Sequence, residues 1–175
     1  MLFLLTYTVQ GQRASRRYIA KYTALADSIW RHRGIPPSVT LAIALVETGA
    51  GTSALCVKFN NHFGFRGTNT NSIKKLGKPS SYKEYHSARD SYHHFTKIIM
   101  KKRFYRSLKG NPNSALWVHA LKKSGYASNP NWETHVNSLI TRFNLYSLDE
   151  RRANKPQPHI PDFIKYRTVH RPLWE

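Results

Sequence analysis

Cysteine occurs once in this 175-residue chain, at Cys56, which excludes an internal disulfide and a cysteine-based metal site. Alone in a short helical stretch, Cys56 reads as a core filler rather than a nucleophile. Acidic residues are also scarce: 9 Asp and Glu stand against 28 Lys and Arg, a formal net charge of +19. Few carboxylates are therefore available as catalytic acids. The cationic surplus favours polyanionic partners such as nucleic acid, acidic lipid or an anionic cell wall, and charge alone does not choose among them. The apolar run Met1-Leu2-Phe3-Leu4-Leu5 is too short to span a membrane. Metal-ligand spacing of the His-Glu-x-x-His kind is missing among the 9 histidines, and neither metal nor cofactor is expected. His93-His94 read as surface residues. No internal repeat is evident.

What is present centres on residues 41–53, Leu-Ala-Ile-Ala-Leu-Val-Glu-Thr-Gly-Ala-Gly-Thr-Ser. Apolar residues cover more than one helical face here, which predicts a central helix buried on most sides. Glu47 lies one turn beyond Ile43, so its carboxylate emerges beside apolar neighbours. Such surroundings disfavour the charged form and raise the pKa, which suits a general acid. The bland reading, that Glu47 pairs with one of the many cations, stands beside it. Gly49 and Gly51 stop the helix and leave room for a ligand.

Around this helix the chain divides into three parts. Residues 1–12 resemble equally the end of a secretory signal, with Val9 and Gly11 placed as at a cleavage site, and a frayed N-terminal strand. Residues 13–149 form the main domain. An amphipathic helix is predicted over 15–33, and Ile35-Pro36-Pro37-Ser38 turns the chain into the central helix. A short helix runs to Phe59, and a small β-hairpin lobe is expected from His62 to Tyr85. Ser87 to Asp90 has capping-box spacing, which makes Asp90 a cap before a helix with Tyr92, Phe95, Ile98 and Ile99 inward. Two more helices come next, one with Leu116, Trp117, Ala120 and Leu121 inward, the other carrying Trp132, Val136, Leu139, Ile140 and Phe143 and ending near Asn144. Residues 150–175 are a basic tail rich in Pro, Arg and His, with Ile160, Phe163, Tyr166, Leu173 and Trp174 available to wrap on the domain.

Several ordered motifs carry a specific resemblance. They are Ile-Pro-Pro-Ser-Val-Thr-Leu-Ala at 35–42, Glu-Thr-Gly-Ala-Gly-Thr-Ser at 47–53, and Asn-Asn-His-Phe-Gly-Phe-Arg-Gly at 60–67. Tyr85-His86-Ser87, Asp90-Ser91-Tyr92, Trp117, Ala120 through Pro130 and Asn144-Leu145-Tyr146 continue the set collinearly. From about Ser15 to Asp149 the chain resembles the glucosaminidase domain of glycoside hydrolase family 73, the flagellar-type and autolysin-type peptidoglycan hydrolases. The resemblance implies a mainly helical, lysozyme-like fold with a small β lobe across a cleft. It implies endo-β-N-acetylglucosaminidase activity, cleaving the β-1,4 bond after N-acetylglucosamine. It places the catalytic acid on Glu47, a cleft tyrosine on Tyr126, and the Asn-Asn-x-Phe-Gly segment on Asn60, Asn61, Phe63 and Gly64. Phe63, Phe65 and Tyr92 offer faces for sugar rings, or equally fill the core. The sequence departs from the family at Ile43, where glutamine is common, and at Ala50, where tryptophan is common. The lobe also lacks the second acid the family often has.

With one well-placed carboxylate, the expected mechanism is substrate-assisted, with the 2-acetamido oxygen of the sugar as nucleophile. A lytic transglycosylase or muramidase of the same fold is the enzymatic alternative. A non-catalytic basic protein is the other, either a wall-binding module with a degenerate site or a nucleic-acid binder, the latter disfavoured because no nucleic-acid motif accompanies the charge. The expected partners are peptidoglycan glycan strands and, through the charge, anionic envelope polymers. The expected setting is a secreted or periplasmic monomer of the cell envelope, without nucleic acid or a stable membrane span.

Overall fold

The computed structural model describes residues 2–153, with side chains described from 10 to 150. Helix α1 (Leu2–Arg33) runs through both the N-terminal apolar run and the predicted amphipathic segment. The strand reading of the N-terminus therefore gives way to helix, which continues through Gly11 without a break. Tyr18, Ala26, Ile29 and Trp30 of α1 are buried at helical spacing. Helix α2 (Pro37–Thr48) is buried at every position from Pro37 to Leu45, as its all-round apolar pattern predicts.

The end of α2 is closed by its own backbone and by one hydroxyl. Gly49 is left-handed (φ 55°) and returns its N–H to the Leu45 carbonyl. The Thr48 hydroxyl donates to the Ala44 carbonyl (2.6 Å) and accepts from the Gly51 N–H (2.8 Å). Gly51 has φ 82°, and a Cβ there would lie 2.6 Å from Tyr18 Cδ2. Only glycine fits both the angle and the space. Gly51→Ala is expected to cost about 1–2 kcal/mol for the backbone angle alone, and more as Tyr18 is displaced. The check is a lowered thermal midpoint.

Helix α3 (Ala54–Phe59) starts at Ser53, whose hydroxyl accepts from the Cys56 N–H. Helices α4 (Ser72–Leu76), α5 (Ala88–Met100), α6 (Tyr105–Leu108), α7 (Ser114–Lys123), α8 (Trp132–Arg142) and α9 (Tyr146–Ala153) complete the described chain. α2 is the hub, in contact with α1, α7, α8 and α9. Ser87 caps α5 as predicted: its hydroxyl accepts from the Asp90 N–H and donates to the Asp90 carboxylate.

The expected β-hairpin lobe is not formed. Among the described residues there is no strand, only an isolated antiparallel bridge between Arg66 and Tyr82. Residues 67–81 lack apolar alternation, and their local chemistry favours turns. Asn69 Oδ1 accepts from the Asn71 N–H (3.0 Å), and Gly77 closes the short α4 in the left-handed conformation (φ 74°). The lobe is thus a looped flap with one helical turn, held by Lys83 N–H to Phe65 O (2.9 Å) and Gly67 N–H to Ser81 O (2.8 Å).

Two further expectations are corrected. Leu116 is exposed (47%), and Val118 turns inward with Trp117 and Leu121. The indole N–H of Trp117 donates to the Asn111 carbonyl, which sets the inward face of α7 on Trp117. The helix ending near Asn144 is not the last: α9 follows it, and its Asp149 is buried and accepts from the N–H (3.0 Å) and hydroxyl (2.5 Å) of Ser38. A carboxylate from one end of the domain thereby satisfies donors in the first turn of α2. The apolar positions of the tail singled out from the sequence lie outside the described residues. No helix among those described is long and apolar enough to cross a membrane.

Candidate active site

Glu47 sits in the last turn of α2, half-buried. Its Oε1 accepts a hydrogen bond from Trp132 Nε1 (3.2 Å), at the first residue of α8. On the other side the flap passes close: a Cβ built on Gly64 would lie 3.2 Å from Glu47 Oε2, and Gly64 is left-handed (φ 65°). Glycine here lets the backbone approach the carboxyl without covering it. Burial raises the Glu47 pKa above the ordinary carboxylate value, and the Trp132 hydrogen bond pulls the other way. Desolvation is the larger influence, so the site favours a protonated carboxyl.

Tyr126 stands beside it. Its ring lies 5.3 Å from that of Trp132 and edge-on to Phe95 at 6.3 Å. The residue is only partly buried, yet its hydroxyl is enclosed and has no hydrogen-bond partner. Burial first, then the neighbouring Glu47 carboxyl, then Tyr85, drive its pKa well up, so it stays neutral and able to donate. A buried hydroxyl without a partner costs roughly 1–3 kcal/mol and calls for a functional explanation. Its loop is fixed by Lys122, whose Nζ donates to the carbonyls of Ala127 (3.1 Å) and Asn129 (2.6 Å). Asn129 in turn accepts at its carbonyl from the Trp132 N–H (3.2 Å), so one loop positions both Tyr126 and the Trp132 indole.

The other sequence-predicted site residues divide by exposure. Asn60 is the left-handed cap of α3 and donates to the carbonyls of Tyr85 (3.1 Å) and His86 (3.2 Å). Asn61, 1% exposed, donates to the carbonyls of Phe65 and Lys83 (both 2.8 Å) and accepts from the Phe65 N–H (3.1 Å). Both carboxamides hold the flap, Asn61 with its amide and oxygen alike and Asn60 with its two N–H donors. Phe63 and Tyr92 are core residues: Phe63 stacks on Phe95 at 4.2 Å, and Tyr92 is fully buried. Their reading as sugar faces is corrected on that ground. Phe65 alone of the three aromatics keeps partial exposure, next to Gly64.

Behind Tyr92 lies a polar core cluster that sequence reading did not anticipate. The Tyr18 hydroxyl bonds His62 Nδ1 (2.6 Å) and the Tyr92 hydroxyl (3.1 Å), and Cys56 Sγ lies 3.5 Å from the same nitrogen. Burial lowers the His62 pKa to about 4 and raises Cys56 to about 11, so both are neutral and the thiol is unreactive at neutral pH. Cys56 as a core filler is therefore borne out. The described residues contain no cluster of His, Cys, Asp and Glu able to hold a metal ion.

Trp132 is the site residue that the sequence did not reveal, since its spacing with Val136 and Ile140 marks only a buried helical face. The signal, once known, is its place immediately after the Asn-Pro-Asn turn of the Tyr126 loop.

Comparison with known proteins bears on the whole arrangement. The profile of the glucosaminidase family, described as mannosyl-glycoprotein endo-beta-N-acetylglucosaminidase, matches residues 23–145. The chain is 24% identical over 150 residues to the exo-glucosaminidase LytG of Bacillus subtilis, across 76% of this chain and 53% of that protein. It thus spans about half the length of that relative. The catalytic domain of the autolysin Auto from Listeria monocytogenes superposes with TM-score 0.63 at 19% identity, covering 77% of this chain and 87% of the other. The glycoside hydrolase domain of FlgJ from Salmonella typhimurium superposes with TM-score 0.57 at 18% identity, covering 79% and 93%. These likenesses establish a shared, mainly helical fold. With a family profile matched from within α1 to the residue before α9, over the helix that carries Glu47 and the loop that carries Tyr126, this chain belongs to the glucosaminidase family.

Proposed function

We propose that this protein is a peptidoglycan hydrolase that cleaves the β-1,4 bond after N-acetylglucosamine, with Glu47 as general acid. One observation carries the reading: a half-buried carboxyl with a raised pKa stands at the end of the central helix, flanked by a glycine and a neutral tyrosine hydroxyl. Family membership supplies the reaction class, and relatives that include the autolysin of Enterococcus faecalis (27% identical over 151 residues) support action at the cell envelope.

Glu47 protonates the glycosidic oxygen as the C1–O bond breaks. The acetamide carbonyl oxygen of the same sugar attacks C1 and closes a cationic five-membered ring. Water then opens that ring while the Glu47 carboxylate takes back the proton. Tyr126 donates to, and orients, the acetamide. Four of the six other described carboxylates are engaged elsewhere: Glu84 with Lys75 and Asn71, Asp90 with Ser87, Asp149 with Ser38, Glu133 with His119. That division of labour favours substrate assistance over a second catalytic carboxylate. Residues 13–149, extended by the last turn of α9, form the catalytic unit of a secreted, monomeric envelope protein, and the cationic surplus attaches it to anionic envelope polymers.

Mass spectrometry of fragments released from purified peptidoglycan tests the assignment. A reducing N-acetylglucosamine end supports it. A reducing N-acetylmuramic acid end or an anhydro product replaces it with a muramidase or a lytic transglycosylase.

Tyr126→Phe removes an unpartnered hydroxyl and keeps the ring packing. Turnover is expected to fall about 10- to 100-fold while thermal stability is unchanged or slightly higher. Unchanged turnover returns Tyr126 to a purely structural role. Glu84→Gln and Asp90→Asn are each expected to retain activity within about threefold, since an exposed ion pair is screened by solvent and the cap of α5 supports the helix rather than the reacting groups. A thiazoline analogue of N-acetylglucosamine is expected to inhibit competitively. Collapse of either variant, with no inhibition by the analogue, argues for two carboxylates.

A further inference from the structure

We propose that the flap-side edge beside Glu47, formed by Lys83 and His94 at Phe65 and by Lys97 and Lys101 following His94 along the chain, is a subsite for a carboxylate on the muramoyl sugar. The inference rests on the peptidoglycan reading above and specifies which substituent of the glycan the site selects.

The geometry runs outward from the acid. Gly64 lies against Glu47, and Phe65 is next in the chain. The Phe65 ring meets the His94 imidazole edge-on at 5.0 Å. Lys83 pairs its N–H with the Phe65 carbonyl, and its Nζ lies 5.5 Å from the centre of the Tyr85 ring. The Tyr85 hydroxyl meets His94 Nδ1 at 2.6 Å. With the hydroxyl as donor, Nε2 of His94 carries the proton and is free to donate. Lys97 and Lys101 stand three and seven residues after His94, on the same face at helical spacing.

None of the three lysines has an ion-pair partner among the described residues. The acids in reach of this edge are already engaged, Glu84 by Lys75 and Asp90 by Ser87. Burial and the charges of Lys83, Lys97 and Lys101 hold His94 neutral by lowering its pKa. An aromatic platform beside three uncompensated ammonium groups is a site for an anion attached to a sugar. N-acetylglucosamine is neutral, so a neutral glycan gives these lysines nothing to bind. The muramoyl sugar offers a carboxylate either on its lactyl group, where no stem peptide is attached, or on the stem peptide that is amide-linked there.

The test compares kcat/KM of the full chain on three glycans. One is peptide-free with free lactyl carboxylates, one carries uncross-linked stem peptides, and one is peptide-free with its lactyl carboxylates converted to methylamides. The variant is Lys97→Gln/Lys101→Gln, and the control is Arg13→Gln/Arg31→Gln, which removes the same charge from α1. The double lysine variant is expected to lose about tenfold on at least one anionic glycan and less than twofold on the methylamide, with the control unchanged throughout. Loss confined to the peptide-free strand identifies the lactyl group, and loss confined to the peptide-bearing strand identifies the stem. Equal loss on the methylamide, equal loss in the control, or no loss anywhere overturns the subsite while leaving the hydrolase reading in place. A wild-type chain that cleaves none of the three overturns the hydrolase reading and this inference with it.

Discussion

Glu47→Gln is expected to lower glycan cleavage by about a thousandfold or more, with the thermal midpoint essentially unchanged. The amide is nearly isosteric with the carboxyl, and its oxygen still accepts from Trp132 Nε1, so the end of α2 keeps its packing. What it loses is the transferable proton. The wild-type pH profile carries the same information. The acid must be protonated in the free enzyme, so kcat/KM falls as pH rises through its folded pKa. Burial has moved that value above the ordinary carboxylate range, so activity persists to higher pH than a solvated glutamate permits. Trp132 opposes the shift, since its hydrogen bond favours the charged form. Wild-type turnover in Glu47→Gln would remove the residue from the mechanism.

Much of this arrangement is legible in the sequence, for identifiable reasons. The burial of α2 comes from apolar residues on all its faces, and the position of Glu47 from its place in the last turn before a Gly-x-Gly break. The start of α5 comes from the chemistry of Ser87 and Asp90. These are local signals, in which a few residues determine their own conformation. The failures are non-local. Nothing in Trp132 itself separates a core tryptophan from one whose indole N–H reaches a carboxylate 85 positions away. Asn60 and Asn61 form a polar motif at the right place, but their partners at Phe65, Lys83, Tyr85 and His86 are set by the return of the flap. The flap reads as a hairpin because Gly, Asn and Pro punctuate it as they punctuate hairpins. The missing element is alternation, and without it the turn residues produce turns and a short helix instead. Helix α9 is hidden by the compositional change near residue 150, and the contact of Asp149 with the start of α2 comes only from the structure.

That contact gives the second large effect. Asp149→Ala is expected to destabilise the protein by about 2–4 kcal/mol, because it leaves the buried N–H and hydroxyl of Ser38 without their acceptor. Asp149→Asn keeps an acceptor for the N–H and is expected to be much milder. The two variants also separate packing from charge. Burial, outweighing the hydrogen bonds from Ser38, raises the Asp149 pKa from 3.8 to about 6. Between these values the native state binds a proton that the unfolded state has released, so this group makes stability fall as pH rises. The full effect is of order 2–3 kcal/mol, present below about pH 4 and lost once pH passes the folded pKa. His62 acts in the opposite direction over an overlapping range: its pKa falls to about 4 on folding, so its contribution to stability is lost as pH falls below its unfolded value. The wild-type curve is therefore flattened between pH 4 and 6, and the informative quantity is the difference between wild type and Asp149→Asn. Measured by denaturant unfolding at a series of pH values, that difference is expected to shift in favour of the variant as pH rises from 4 to 7. A constant difference would mean that Asp149 is as comfortable ionised in the fold as in water, its Ser38 donors compensating fully for burial.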